Sequence, residues 1–218
     1  MNKIKLMYDI ARAMRDKDTL DGTAKLSLIK DGSEAFRLDT EFSRNFTDGW
    51  GKAKISTVLD HEGKKLQHES TTEFNRNQEQ GNEPPGCKNH RLFHAHHWGM
   101  QGGGLKKRLN MIMTVLNALN NMQVLEQEDQ SIRLSLDLNE IPEDLQEAFR
   151  TRLMKKHHHQ ARPGFLQGSP LMKKGSLECR VNKNYEIETV ALKWEGELQE
   201  ENLPVSNLIL DAAAVLAS

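Results

Sequence analysis

Alternation of apolar and polar residues is the main regularity along this chain. Residues 24–28 and 36–42 each place apolar side chains on one face and polar side chains on the other, and Asp31 and Gly32 stand between them. Aspartate and glycine tolerate the positive φ angles that a type I′ turn requires, so the sequence predicts a tight β-hairpin here. A hairpin with one charged face is typical of a sheet that covers a core on one side only.

The same layout returns twice along the chain. Residues 53–59 and 66–74 form the second alternating pair, and residues 177–181 and 185–194 form the third. The alternation changes phase near residues 189–190, which predicts a β-bulge. Because all three units are hairpins with one apolar face, we expect an antiparallel meander.

Helical periodicity separates these hairpins. Apolar residues recur at three- and four-residue steps in residues 3–17, 105–120 and 142–155, which predicts three amphipathic helices. A short pair of strands is expected between the second and third helices, at residues 124–127 and 132–138. The expected buried stripe of the first helix is Ile4, Met7, Ile10, Ala11 and Met14.

The last segment, residues 203–218, contains a short leucine and isoleucine run followed by alanines. Alanine favours helices and is poor in strands, so we expect a short helix docked on the sheet rather than a final edge strand. Two other segments are rich in polar residues, glycine, proline and histidine. We expect irregular loops over these segments, residues 76–103 and 157–172.

Together these patterns predict an α+β fold. We expect a single domain over residues 1–218, in which a curved antiparallel β-meander, a half-barrel, packs its helices on the concave face. If the helices fill the space completely, that face is only a core. If coverage is incomplete, an apolar cavity remains for a lipid or an acyl chain. The residues expected to line it are Phe36, Phe42, Phe74, Tyr185 and Trp194.

Composition and charge narrow the classes of function. The 218 residues carry a formal net charge of -1, with 28% charged and 37% hydrophobic residues. A general nucleic-acid binder needs a basic excess to displace counterions, so we expect no nucleic-acid partner. No apolar run reaches the roughly 18 residues needed to cross a bilayer, so we expect no membrane span in this chain.

One histidine-rich run has the composition of a metal site. Thiolate and imidazole are usual zinc ligands, and the spacings Cys-x2-His and His-x3-His fit a local site. The run has no Cys-x2-Cys pair and no acidic residue, so an ordinary polar loop is the alternative. A second run at residues 157–159 would bind metal only weakly. The candidate zinc ligands are Cys87, His90, His94, His96 and His97.

The common catalytic motifs are missing from the sequence. It contains no Gly-x-Ser-x-Gly elbow, no P-loop, no dinucleotide-binding fingerprint and no His-Glu-x-x-His helix. We therefore expect a protein that is not an enzyme. Cys87 and Cys179 are either two unrelated thiols or, in an exported protein, a single bridge between a loop and a strand.

The N-terminal helix, the one-sided meander, the helices between hairpins and the aromatic strand ends together resemble one superfamily. It comprises the half-barrel bacterial lipoprotein carriers, the mycobacterial-type lipid-binding lipoproteins and the related sigma-factor regulatory sensors. The resemblance covers most of the chain as layout and includes no signature motif. It implies non-catalytic binding of acyl chains or of partner proteins in the cell envelope.

The same resemblance bears on the location of the protein. It implies an extracytoplasmic protein, membrane-anchored or secreted, whose export signal or anchor is absent from this sequence. A cytoplasmic location is the alternative. Two other functions compete with lipid binding. One is a metal-binding protein that uses residues 87–97, and the other is a protein-interaction module without a small-molecule ligand.

Overall fold

The computed structural model describes residues 2–61, 63–75, 116–141, 169–199 and 204–217. These residues form one long helix and nine strands. The helix is α1 (Lys3–Arg15), and the strands are β1 (Thr19–Lys30), β2 (Ser33–Asn45), β3 (Trp50–His61), β4 (Lys64–Asn75), β5 (Gln123–Glu126), β6 (Ile132–Asp137), β7 (Ser169–Val181), β8 (Ile187–Gln199) and β9 (Ser206–Ala217).

All nine strands lie in one antiparallel sheet, in the order β4-β3-β2-β1-β9-β8-β7-β6-β5. The predicted sheet of antiparallel hairpins is therefore confirmed. The prediction of one continuous meander is wrong, because there are two meanders, β1–β4 and β5–β9, which β1 joins by pairing with β9. Within the described residues the sheet is open, with β4 and β5 as its edges.

The first hairpin has the predicted turn. Asp31 and Gly32 both have positive φ angles, 51° and 81°, as a type I′ turn requires. The backbone N–H of Asp31 donates to the carbonyl of Asn207 at 2.9 Å, and the N–H of Asn207 donates to Oδ1 of Asp31 at 2.8 Å. The turn therefore also holds the start of β9.

The third hairpin contains the predicted bulge. Arg180 pairs with Thr189 and Val181 pairs with Ile187, so Glu188 has no residue opposite it. Side chains change face at every residue of a strand, so one extra residue shifts the alternation by one position. After the bulge, Val190 and Leu192 therefore lie on the same face as Cys179 and Leu177 of β7. The bulge lies one residue before the predicted position.

Helix α1 forms where the sequence predicts it, and Ile10 and Met14 of the predicted stripe pack in the core, but the stripe is otherwise shifted. Leu6 and Ile10 are 2% and 5% exposed, and they pack against Ile132, Leu134 and Val181 at the β6–β7 end of the sheet. By contrast, the side chains at positions 4 and 7 are 62% and 37% exposed. The predicted stripe is wrong at these positions because two apolar faces are available and only the neighbouring sheet selects one.

The prediction of a C-terminal helix is wrong. Residues 206–217 form β9, which lies in the centre of the sheet between β1 and β8. Its alternate residues from Leu208 to Leu216 share one face, and alanines at positions 212 and 214 fit between the neighbouring strands. Pairing along both edges outweighs the helix preference of alanine.

Other predicted segments lie partly or wholly outside the described residues. Of the helix expected at 105–120, only residues 116–120 are described; they are helical, and the helix continues to residue 121. The helix at 142–155 and the loop at 76–103 fall outside, as does most of the loop at 157–172. Residues 169–172 of that loop belong to β7, so the prediction of irregular structure is wrong there.

Candidate functional site: the apolar face of the sheet

Residues in register form rows that cross the sheet on one face, which we call the apolar face. Each row continues from strand to strand because paired residues project to the same side. One row consists of Leu136, Leu177, Leu192, Ala212, Leu26, Leu38, Thr57 and His68. The next row consists of Gly175, Trp194, Leu210, Leu28, Phe36, Leu59 and Leu66.

Burial along the apolar face falls towards β4. Val181 and Leu198 are fully buried on β7 and β8, and α1 packs at that end of the sheet. Over β2 and β3, the apolar-face side chains are mostly half-buried. On β4, Leu66 is 65% exposed and Phe74 is 36% exposed. Among the described residues, the surface over β2–β4 is therefore the most exposed part of this face.

Two of the five predicted ligand-binding residues meet in one cluster. Phe36 and Trp194 both pack, partly buried, against a buried group formed by Leu28, Leu198 and Leu208. This cluster lies where β1, β8 and β9 come together. It fixes the centre of the apolar face, where the two rings are only partly buried.

Phe42 and Phe74 lie across glycines of neighbouring strands. A Cβ atom placed on Gly22 would be 2.8 Å from Cζ of Phe42, and one placed on Gly51 would be 2.7 Å from Cε2 of Phe74. Each phenylalanine is paired directly with the glycine that it covers. One side of each ring therefore covers the backbone of the paired glycine. The other side of each ring faces outward, at the end of the sheet formed by β2–β4.

Tyr185 is not on this face. It lies in the turn before β8, with a positive φ of 64°, and its residue is 38% exposed. Asn182 builds the turn, since its Oδ1 accepts the N–H groups of Asn184 at 2.9 Å and Glu186 at 3.0 Å. The prediction that Tyr185 shares the apolar face is wrong because the strand begins only at Ile187.

Sequence analysis missed one charged residue on the apolar face, Arg44. It pairs with Leu20 and Gly51, so it has the same orientation as Phe42. Its guanidinium lies over the ring of Phe46, 4.8 Å from the centroid. Its Nε is buried and donates to no acceptor among the described residues. The alternation of β2 was sufficient to place Arg44 on this face, since it lies two residues after Phe42.

A buried N–H group without an acceptor is uncommon, and it costs about 1–3 kcal/mol. Arg44 also occupies the accessible end of the apolar face. It lies in register beside the glycine that Phe74 covers. An anionic group would therefore find a cation and an aromatic surface together at this end of the face.

The opposite face of the sheet holds a depression of about 580 Å³ over β6–β8. Most of its charged side chains form ion pairs across the strands. Nη2 of Arg133 donates to both carboxylate oxygens of Glu178 at 2.8 Å. Nη2 of Arg180 lies 2.6 Å from Asp129, and its Nε lies 3.3 Å from Glu188. These pairs neutralise most of the charge that lines the depression.

Asp129 has a structural role at the rim of that depression. Hydrogen bonds from the side chain and backbone of Ser131, followed by the nearby Arg180, lower the pKa of the Asp129 carboxyl group. The carboxylate therefore stays ionised and holds the turn between β5 and β6.

The predicted metal ligands Cys87, His90, His94, His96 and His97 all lie outside the described residues, as do residues 157–159. In the described part of the chain, no group of three or more His, Cys, Asp or Glu side chains is arranged to hold a metal ion. Cys179 is a free thiol, and burial raises its pKa. The zinc hypothesis stays a prediction.

No helix in the described ranges is both long and apolar enough to cross a membrane. No protein-family model matches the chain, and no curated protein matches it.

Three solved structures align with most of the chain at low similarity. The dehydratase domain from the terminal module of the rifamycin polyketide synthase is 13% identical over 100% of this chain and 81% of that one, with a TM-score of 0.16. The dehydratase-cyclase domain in ambruticin biosynthesis is 12% identical over 100% and 83%, and an N-terminal dehydratase from the difficidin assembly line is 10% identical over 99% and 83%. Both have TM-scores of 0.17, and such scores carry no argument about fold or function.

Proposed function

We propose that this protein is a non-catalytic binding or sensing domain of the bacterial cell envelope, which holds a lipid or acyl chain on the apolar face of its sheet. The observation that carries the proposal is the partly exposed apolar surface over β2–β4. Soluble proteins rarely expose a large contiguous apolar surface unless it binds something. Leu38 and Leu59 lie in neighbouring rows of this surface, and such rows offer an extended chain many weak contacts.

The proposal includes a half-barrel in which the sheet curves around its helices. Long antiparallel sheets twist and coil, and one apolar face favours curvature around a core. Packing of Leu6 and Ile10 of α1 against the apolar face supports this arrangement at the β6–β7 end. The layout resemblance to envelope lipoprotein carriers and sensors supports the envelope location.

Arg44 defines the class of ligand within this proposal. A fatty acid has an apolar chain and one carboxylate, and these match the apolar rows and the guanidinium at their accessible end. A charge-assisted hydrogen bond to a guanidinium contributes about 1.5–3 kcal/mol. We therefore propose that an anionic amphiphile binds with its head group at Arg44.

Fluorescent fatty-acid titration tests the proposal directly. We expect saturable binding to the purified chain after extraction of any lipid with organic solvent. Leu38→Gln should weaken binding by about tenfold or more, since burial of the lost apolar contact area contributes about 1.5–3 kcal/mol. The control is Lys54→Gln, which changes an exposed residue of β3 on the opposite face and should bind like the wild type.

Methyl esters separate the role of Arg44 from that of the apolar face. The wild type should bind the free acid more tightly than its methyl ester, and Arg44→Met should remove that preference while both ligands still bind. Equal binding of acid and ester by the wild type would refute the head-group assignment alone. Absence of binding for both ligands, with no lipid in the solvent extract, would refute the proposed function.

A further inference from the structure

Strand β4 is a long, regular and exposed edge of the sheet. It has 12 residues, and its register with β3 is unbroken from Trp50–Asn75 to His61–Lys64. No described strand pairs with its outer side. Half of the residues of an edge strand direct their N–H and C=O groups away from the sheet, where another strand can pair with them. The opposite edge, β5, has only four residues.

Natural proteins usually protect such an edge with proline, a bulge or a short strand. β4 has none of these features over Lys64–Asn75. It does expose two large apolar side chains on the apolar face, Leu66 and Phe74, and most of its other residues are exposed as well. Among the described residues, the edge is therefore open to pairing along its whole length.

We infer that β4 pairs antiparallel with β4 of a second copy of this chain, with the two-fold axis at Ser70. In such an isologous contact each residue faces the one equally far on the other side of the axis. Leu66 of each copy then lies opposite Phe74 of the other. The interface therefore contains two equivalent Leu66–Phe74 contacts, one on each side of the axis. The apolar faces of the two sheets become continuous.

Charge distribution supports this register over its neighbours. With the axis at Ser70, Glu69 faces Thr71 and Glu73 faces Gln67, so no like charges are directly opposite. Lys65 is then a diagonal neighbour of Glu73 of the other copy, which is favourable. With the axis at Glu69, the two Glu69 carboxylates would oppose each other, and with the axis at Thr71, Glu69 would oppose Glu73.

Other registers either place unlike faces side by side or separate Leu66 from Phe74. An axis between two residues would place the apolar face of one copy beside the polar face of the other, since side chains alternate at every residue. An axis at His68 would keep the faces aligned but would leave Phe74 without an apolar partner. Only the register at Ser70 unites Leu66 with Phe74. This inference does not depend on the proposed lipid-binding function.

Disulfide trapping tests both the dimer and its register. Residues directly opposite in an antiparallel pair have Cα atoms about 4.5–5.5 Å apart, which is within the range for a disulfide. In a background of Cys87→Ser and Cys179→Ala, we expect Ser70→Cys to form a covalent dimer under mild oxidation. Thr72→Cys should not, because its two copies would be offset by four residues, about 13 Å along the strand.

Sedimentation of the native chain provides the second measurement. We expect the mass of two chains, and a monomer for Leu66→Lys, which replaces an exposed side chain and should not affect folding. The matched control is Leu125→Lys on the other edge strand, where leucine is 52% exposed, and it should remain a dimer. A monomeric wild type, a dimer that persists in Leu66→Lys, or equal trapping at positions 70 and 72 would each overturn the inference.

Discussion

Glycines covered by aromatic rings are the clearest residue-scale feature of this sheet. Gly51 is paired with Phe74, and Gly22 is paired with Phe42. A glycine in a strand interior weakens it unless another group covers the bare backbone. Here the neighbouring ring supplies that cover, so the glycine and the aromatic residue act as one unit.

Substitution of Gly51 tests this unit. Gly51→Ala should destabilise the protein by about 1–3 kcal/mol, because the new methyl group would overlap the ring of Phe74 and force it to move. Urea denaturation measures the effect. Ser56→Ala, on the opposite face of the same strand, should change stability by no more than about 0.5 kcal/mol.

Combining Gly51→Ala with Phe74→Leu tests whether the ring of Phe74 causes the loss of stability. A smaller and more flexible side chain gives the alanine methyl group room, so the penalty of Gly51→Ala should shrink in the Phe74→Leu background. Equal penalties in both backgrounds would mean that the ring does not cover Gly51.

Attachment of α1 to the sheet is decided at the scale of elements. The C-terminal end of the helix is held by an ion pair between Lys17 and Glu186 at 3.1 Å, in which the two side chains are 13% and 23% exposed. The N–H of Ile187 also points at the sulfur of Met14 at 3.4 Å. The turn before β8 is therefore the anchor of the helix.

Glu186 makes this anchor sensitive to acid. A hydrogen bond from Asn182, and then one from Lys17, lower the pKa of the Glu186 carboxyl group. A carboxyl group with a lowered pKa in the folded state stabilises the fold above its unfolded pKa of about 4.3, and that stabilisation is lost as pH falls through the folded value.

Glu186→Gln should reveal this pH dependence. At neutral pH it should lower the free energy of unfolding by about 1 kcal/mol, since it removes a charged hydrogen-bond acceptor. In strongly acidic solution the difference from the wild type should disappear. Denaturation at several pH values measures it, with Glu195→Gln at an exposed position as the control. A difference that is constant with pH would contradict this role of Glu186.

The whole molecule depends on the strand that joins its two meanders. β9 pairs with β1 on one side and with β8 on the other, and among the described strands this is the only backbone pairing that joins the two halves of the sheet. A segment from the end of the chain thus completes the centre of the fold. We expect the two meanders to unfold together as one cooperative unit.

Ala213 tests the central position of β9. Its side chain is exposed, but its backbone is paired with Lys25 and with Ala191. Ala213→Pro should cost about 3 kcal/mol or more, because proline removes a ladder hydrogen bond in the interior of a sheet. Ala213→Val should be neutral or stabilising, as expected for a strand and not for a helix. Thermal unfolding measures both, and a stable proline variant would contradict the topology.

The local sequence pattern was sufficient to predict the hairpins and the face of the sheet on which most side chains lie. The φ angles at Asp31 and Gly32, the bulge at Glu188 and the one-sided alternation of β1–β3 follow from neighbouring residues alone. The same alternation extended by two residues would have placed Arg44 on the apolar face. These features were predictable because turn chemistry and strand periodicity act over a few residues.

Tertiary structure decided the features for which local preference was ambiguous or misleading. The alanine-rich tail became a central strand because two long edges were available to pair with it, and such pairing between distant segments has no local signal. Which stripe of α1 is buried was decided by the surface formed by Ile132, Leu134 and Val181. The alternation along each strand is enough to predict one apolar face. How much of that face is covered depends on contacts between residues far apart in the chain, which no local pattern encodes.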